Sequence, residues 1–334
     1  MVEAAELAHP RDVFTYEHGE TVEAAFLDAL NRGRLHHAWL LCGPEGIGKA
    51  SFAYRAARRL LGAAPDLAYG LLGSAPDHPV SRQVMARSHP DLMVLERVGE
   101  DGKPRKVIPV DDARRLPEFF SKAPASAPYR VAIVDSVDDM NPNAANALLK
   151  TLEEPPDRGV LLLVSHAPGG LLPTIRSRCR RLSFAPWSEA DVTGFVRKNL
   201  DVSEEAAIRL ARMAKGSPGR ALDLAARHAV AADDAAHELL VQLPQVDAGA
   251  VQALAETFRG PEGFARFELL FERLADQIHS RVVAAAEEEG AASDRWGPVW
   301  ETLTRLPREV EGLNLDRADA LWSTLAQLRA AART

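Results

Sequence analysis

Cysteine is almost missing from this chain: Cys42 and Cys179 are the two in 334 residues. Two cysteines exclude a disulfide framework and a four-cysteine zinc site, and they fit a reducing compartment. Also missing is any uninterrupted apolar run approaching the ~18 residues that a membrane span needs. The segment Met1–Pro10 has acidic residues and no apolar h-region, so a cytoplasmic chain without a secretory signal or membrane partner is expected. An excess of positive charge is missing as well. Lys and Arg total 40 against 47 Asp and Glu, a net charge of −7, with a pI near 5.8. A domain that grips a phosphodiester backbone unaided carries a basic face and a high pI, so autonomous tight nucleic-acid binding is disfavoured. What is present is an ordinary globular composition, 46% hydrophobic and 26% charged. That is enough apolar surface for a buried core, over a length suited to about two domains or three small ones.

The first half alternates short apolar runs with helical stretches. Trp39-Leu40-Leu41-Cys42 ends in a glycine-containing turn and reads as a buried parallel strand. A helix is expected from Lys49 to Leu61, stopped by Gly62. Leu92–Leu95, Val131–Val134, Val160–Val164 and Leu182–Phe184 are further strand candidates. Between the third and fourth runs, Asn141 caps a helix with Pro142 at its first position, and Pro155-Pro156 ends it. Ala144, Leu148 and Leu152 share one face of that helix. The strand–helix repetition predicts an α/β fold with a parallel sheet and crossover helices. After Pro186 the chain is rich in Ala, Leu, Glu and Arg at helical spacing, with breaks at Gly216-Ser217-Pro218-Gly219 and near Leu243-Pro244. Three domains are expected: residues 1–185, residues 186–243 and residues 244–334. The segment Gly62–Pro90 reads as an irregular insertion, and Gly99–Pro104 as a surface loop.

Chemistry concentrates in the first domain. Gly43-Pro-Glu-Gly46-Ile-Gly48-Lys49 follows a strand and opens a helix, the context of a phosphate-binding P-loop. The glycines turn backbone N–H groups toward phosphate, the helix dipole adds to them, and Lys49 reaches the β/γ-phosphates. The hydroxyl that should follow, a Mg²⁺ ligand, is replaced by Ala50. Ser51 lies about 100° farther round the helix and does not substitute. The strand Val131–Val134 delivers Asp135 where P-loop ATPases present a carboxylate to Mg²⁺. The next residue, where a water-polarising Glu is common, is Ser136, a poor general base. Asp138 and Asp139 read as solvated turn carboxylates. Two losses at one site predict that it does not hydrolyse nucleotide.

The stretch NALLKTLEEPP (residues 146–156), an apolar strand and Ser177-Arg178-Cys179 then carry a resemblance, running from about Leu35 to Phe184. The chain resembles the clamp-loader branch of the AAA+ ATPases that serves bacterial DNA polymerase III. The resemblance implies an AAA+ sheet domain, a small helical lid and an all-α C-terminal collar that joins subunits into an open ring. It implies a hetero-oligomer with gamma/tau-type ATPase subunits and a delta subunit, acting with a sliding clamp and primed DNA during replication. Polymerase activity would lie in another subunit. It implies that Arg178 reaches into the neighbouring subunit's nucleotide, whose phosphates its planar, permanently charged fork suits. The alternative for Arg178 is a solvated member of the basic cluster Arg176, Arg178, Arg180 and Arg181. Cys179 reads as a packing residue, with no paired histidine.

Relatives in this branch often insert a four-cysteine zinc module after the P-loop helix. Here residues 62–90 hold no cysteine, so zinc is not expected and packing alone must hold the segment. No metal or cofactor is required by this reading; vestigial ATP or ADP binding is the most the remnant loop implies. His78 and His89 read as surface or loop residues, His36 and His37 as packing residues, and Ser165 as a strand terminus. Catalytic relatives place an arginine directly after Gly-Ser-x in the lid, whereas Arg220 comes one place late behind Gly219. Two functions follow: a non-hydrolysing stator that supplies Arg178 in trans, or an active AAA+ clamp-loader motor in which Ser51 or water replaces the lost hydroxyl. Ala50 and Ser136 favour the first.

Overall fold

The computed structural model describes residues 8–98, 103, 105–288 and 293–333. The chain divides into two compact units, residues 5–222 and residues 223–334. The finer division at 185/186 and 243/244 stands as a proposal.

The first unit is built on five parallel strands: β1 (Ala38–Cys42), β2 (Leu92–Glu96), β3 (Arg130–Asp135), β4 (Gly159–Ser165) and β5 (Arg180–Ser183), in the order β2-β3-β4-β1-β5. Strands covered on both faces lose the polar alternation of a half-wet sheet, and β1 and β4 are buried at every position. Their side chains still part by the pleat. Trp39, Leu41, Val131, Ile133 and Leu162 enter one core; Leu40, Ala132, Val134, Leu161 and Leu163 enter the other. The first core is closed by α1 (Glu20–Asn31) and α2 (Lys49–Leu60), through Phe26, Phe52 and Ala56. At the edge, β5 buries Leu182 alone and shows Arg180, Arg181 and Ser183 to solvent, charges that discourage pairing with a further strand.

Helix α2 stops as its sequence requires, one residue earlier than expected. Gly62 takes φ +94°, and the Ala63 and Gly62 amides return to the Arg58 and Arg59 carbonyls at 2.9 and 3.2 Å, a glycine-closed Schellman end. The segment 62–90 is more ordered than its composition suggested. It contains a 3-10 turn at Leu67–Tyr69 and α3 (Pro79–Met85), whose first turn His78 caps by accepting from Val80 N–H at 3.2 Å. His89 is buried, not superficial, and accepts from the Asp91 amide at 3.2 Å. Packing alone does not hold this segment either. Buried Arg55 pairs with Glu23 at 2.7 Å and donates to Tyr69 O at 2.5 Å, while Glu23 accepts from the Leu72 amide. The loop expected over Gly99–Pro104 lies outside the described residues except Lys103.

On the other face lie α4 (Val110–Ser121) and α5 (Pro142–Glu153). Asn141 caps α5, its side-chain oxygen accepting from the Ala144 amide at 2.9 Å, and Ala144, Leu148 and Leu152 are buried, as their spacing required. Asp91 is fully buried before β2 and accepts from the Ala125, Ser126 and Ala127 amides, with Arg130 at 3.4 Å. Burial pushes its carboxyl upward, but those amides and Arg130 outweigh it and hold it below the usual range. The unit continues with α6 (Pro173–Ser177), α7 (Glu189–Asn199), α8 (Glu204–Ala214) and the start of α9 (Pro218–Ala226).

The second unit is helical throughout its described residues: α10 (Ala229–Val241), α11 (Ala248–Glu256), α12 (Gly263–Glu288), α13 (Ser293–Leu313) and α14 (Arg317–Arg333). Its core gathers Phe267, Phe271, Leu274, Leu321 and Leu325. No helix of the described residues is long and apolar enough to cross a membrane.

Candidate functional site: a P-loop remnant and an arginine at the end of α5

The P-loop stands where a strand feeds a helix. β1 ends at Cys42, the Gly43 amide donates to Ser165 O at 3.3 Å, and α2 starts at Lys49 behind Gly48. Gly46 and Gly48 take φ of +74° and +96°, the left-handed region that side chains with a Cβ avoid. The loop's groups are turned inward. Lys49 is buried, and its ammonium donates to the carbonyls of Gly43 at 2.6 Å and Pro44 at 2.5 Å. Burial lowers its pKa to about 8 against the opposing pull of Asp135, Glu45 and Asp138.

The loop tip is met by the segment Ser217–Arg220 at the start of α9. Ser217 Oγ donates to Glu45 O at 2.5 Å, and the Gly219 amide to Gly46 O at 2.9 Å. Gly219 was the available signal. Glycine costs about 1 kcal/mol in a helix, and a Cβ here would stand 2.7 Å from Gly46 O. The backbone of Arg220 donates to Ser217 Oγ at 3.4 Å.

β3 presents Asp135 beside Glu96 of β2, its register partner. Burial, then the Glu96 charge, raise the Asp135 pKa to about 6 despite Lys49. Around Glu96 sit Arg87, in a close ion pair, and His9 at 3.7 Å. Ser136 donates to Asp139 at 2.8 Å. The reading of Asp138 as a solvated turn residue is overturned. Its carboxylate accepts from Ser165 Oγ at 2.9 Å, His166 N–H at 2.6 Å and Ala167 N–H at 3.3 Å. It ties the turn after β3 to the end of β4, so Ser165 is a partner in that tie as well as a strand terminus. Nothing in the spacing 138 to 165 announces the pairing; adjacent parallel strands create it. His36 turns Nδ1 onto the Ala38 backbone, 2.8 Å from its carbonyl oxygen, and stacks on His37.

Arg178 sits apart from these groups in its contacts. It follows α6, where Nη1 donates to Thr174 O at 3.2 Å and Nη2 pairs with Glu153, the last residue of α5, at 3.1 Å. Its side chain is 37% exposed, unlike the open Arg176 and Arg181. Ser177 Oγ donates to Thr174 O at 3.2 Å. Cys179 packs against the core beneath β1, and burial pushes its thiol up to about 12. Arg180 lies over the Trp39 ring at 4.9 Å. The fold thus gathers Gly43, Gly46, Gly48, Lys49 and Asp135 at one end of the sheet. Ser177, Arg178 and Cys179 form a second cluster against α5.

A family described as DNA polymerase III, delta subunit, matches residues 19–188, which hold both clusters. Among curated relatives, DNA polymerase III subunit delta' of Pseudomonas aeruginosa is 38% identical over 56% of this chain and 55% of its own length. The Escherichia coli subunit delta' is 35% identical over 58% of this chain and 55% of its own. The Escherichia coli subunit tau is 29% identical over 97% of this chain and 47% of its own. The chain spans about half the length of the curated relatives it matches. With half of its residues matched by that family and delta' subunits among its relatives, the chain belongs to the DNA polymerase III delta subunit family, in the delta-prime group of the clamp-loader AAA+ proteins.

Proposed function

We propose that the chain is a non-hydrolysing stator of a DNA polymerase III clamp loader. In this reading it supports ATP-driven loading of a sliding clamp onto primed DNA, and Arg178 serves a neighbouring ATPase subunit. The observation that carries the reading is the way the P-loop spends its own groups. The Lys49 ammonium is bonded to Gly43 and Pro44 carbonyls, and the loop tip to Ser217 and Gly219. Ala50 offers no hydroxyl to Mg²⁺, Ser136 no general base, and Asp135 is half neutral near pH 6. This donor set does not fit a Mg²⁺–nucleotide. Arg178 in contrast stays 37% exposed, and a guanidinium delivered across an interface adds as much as ~10³–10⁵ to the rate in GTPases.

The motor reading draws on one observation, the tau relative that aligns along 97% of the chain. Ala50 and Ser136 argue against it. Arg178→Ala decides the in-trans role. In a reconstituted loader this variant should assemble normally and show depressed DNA-stimulated ATPase, with Arg178→Lys rescuing poorly because one ammonium does not reproduce the fork. Full activity of the alanine variant in the assembled complex refutes the role.

A further inference from the structure

We propose that Glu153 is the positioning residue for Arg178: the carboxylate at the end of α5 holds the guanidinium in the orientation it presents to a neighbouring subunit. The inference rests on the in-trans reading of Arg178. Arginine carries about 2 kcal/mol of rotamer entropy, and a swinging guanidinium loses the advantage of a fixed approach geometry. Here two anchors restrain it. Nη1 is tied to Thr174 O within its own turn, and Nη2 to Glu153 Oε1 on a different element. Of the five N–H donors of an arginine, these anchors occupy two, leaving three for phosphate oxygens.

The base under Glu153 is stiff. α5 is capped by Asn141 at one end and ends at Glu153 before Pro155-Pro156 at the other, and a residue preceding proline is barred from continuing the helix. Leu148 and Leu152 of α5 share a core with Ile175 of α6, so the helices that carry carboxylate and guanidinium are packed as one block. The C-terminal end of α5 also carries the negative pole of its dipole, which favours a cation there. Glu154, one residue on and already outside the helix, is the built-in control: an exposed carboxylate of the same charge at the same end of α5.

The pair is partly exposed, at 37% for Arg178 and 53% for Glu153, so its effect is that of a surface ion pair, about two- to fivefold. In a reconstituted loader Glu153→Ala should lower the DNA-stimulated ATPase kcat by that factor with the KM for ATP unchanged. Glu153→Gln, whose amide oxygen still accepts from the guanidinium, should recover part of the loss, and Glu154→Gln should cost nothing. Glu153→Ala added to Arg178→Ala should produce no further loss. A second readout needs no ring. In the isolated chain, ¹⁵N spectra of the arginine side chains should show restricted rotation of the Arg178 guanidinium that Glu153→Ala releases. Equal mobility in wild type and Glu153→Ala overturns the proposal, as does full ATPase in Glu153→Ala beside a crippled Arg178→Ala. An active Arg178→Ala loader instead overturns the in-trans reading itself.

Discussion

Asp135 and Lys49 illustrate how burial sets the charge of a residue whose sequence position is that of a metal-binding carboxylate or a phosphate-binding ammonium. Asp135 keeps its proton to about pH 6 in the fold against 3.8 ordinarily. Between those values the folded chain binds more protons than the unfolded one, so this group makes stability fall as pH rises from about 4 to 6. Above that window the cost is constant. Asp135→Asn removes the titration. Measured by urea midpoints, the variant should gain on wild type between about pH 4 and pH 7, by at most about 3 kcal/mol, and a gap that does not change with pH contradicts burial as the cause. Lys49 has the opposite sign of shift for a base: at about 8, its cost is full below that pH and is relieved as pH climbs toward its ordinary value. The two charges offset each other in part, which makes the figure for Asp135 a ceiling.

At the scale of elements, the contact between the P-loop and the start of α9 separates this loop from an open phosphate cradle. Gly33 and Gly46 both sit at positive φ, +63° and +74°. A Cβ on Gly33 meets nothing within 4 Å, whereas on Gly46 it would lie 2.6 Å from the Arg220 amide nitrogen and 2.7 Å from Ser217 Oγ. Gly33→Ala should therefore cost only the left-handed backbone penalty of about 1–2 kcal/mol. Gly46→Ala should cost that plus a further ~1–3 kcal/mol of overpacking as the start of α9 is pushed off the loop. Thermal denaturation of the two variants tests the difference, and equal midpoints would mean that the start of α9 does not bear on the loop. Asn141 and the Schellman closure at Gly62 are local by comparison. Each satisfies a helix end with groups within a few residues, which is why both could be read before any packing was known.

For the whole molecule, a family that supplies both delta-prime and tau relatives poses one question: which subunits turn over nucleotide. If this chain is a stator, its P-loop lysine is dispensable for turnover. Lys49→Ala in a reconstituted loader should leave the rate of clamp loading within about twofold, since the ammonium is committed to Gly43 and Pro44 carbonyls. Loss of loading in a complex that still assembles would place turnover in this chain and favour the motor reading. The net charge of −7 belongs to the same scale: an overall acidic chain with one short basic cluster gains little counterion release from DNA, so binding by the chain alone should be weak in a gel shift at physiological salt.

The sequence by itself determined what depends on near neighbours along the chain. The five strands, the P-loop between β1 and α2, the Asn141 cap, the buried stripe of α5 and the helical second half all follow from periodicity, caps and glycine placement. The missing hydroxyl at Ala50 and the Ser136 after Asp135 are likewise visible without a fold. Tertiary structure decided what depends on residues far apart. Asp138 became the acceptor for Ser165 and the amides beyond it because β3 and β4 are neighbours in the sheet. His89 was buried, and segment 62–90 was tied to Arg55 and Glu23, by packing that composition does not encode. The same holds for Ser217 on the P-loop and Glu153 beside Arg178, whose partners lie 172 and 25 residues away. Hydrogen bonds and ion pairs act over about 3 Å of space, and only the folded chain brings such distant residues within that reach.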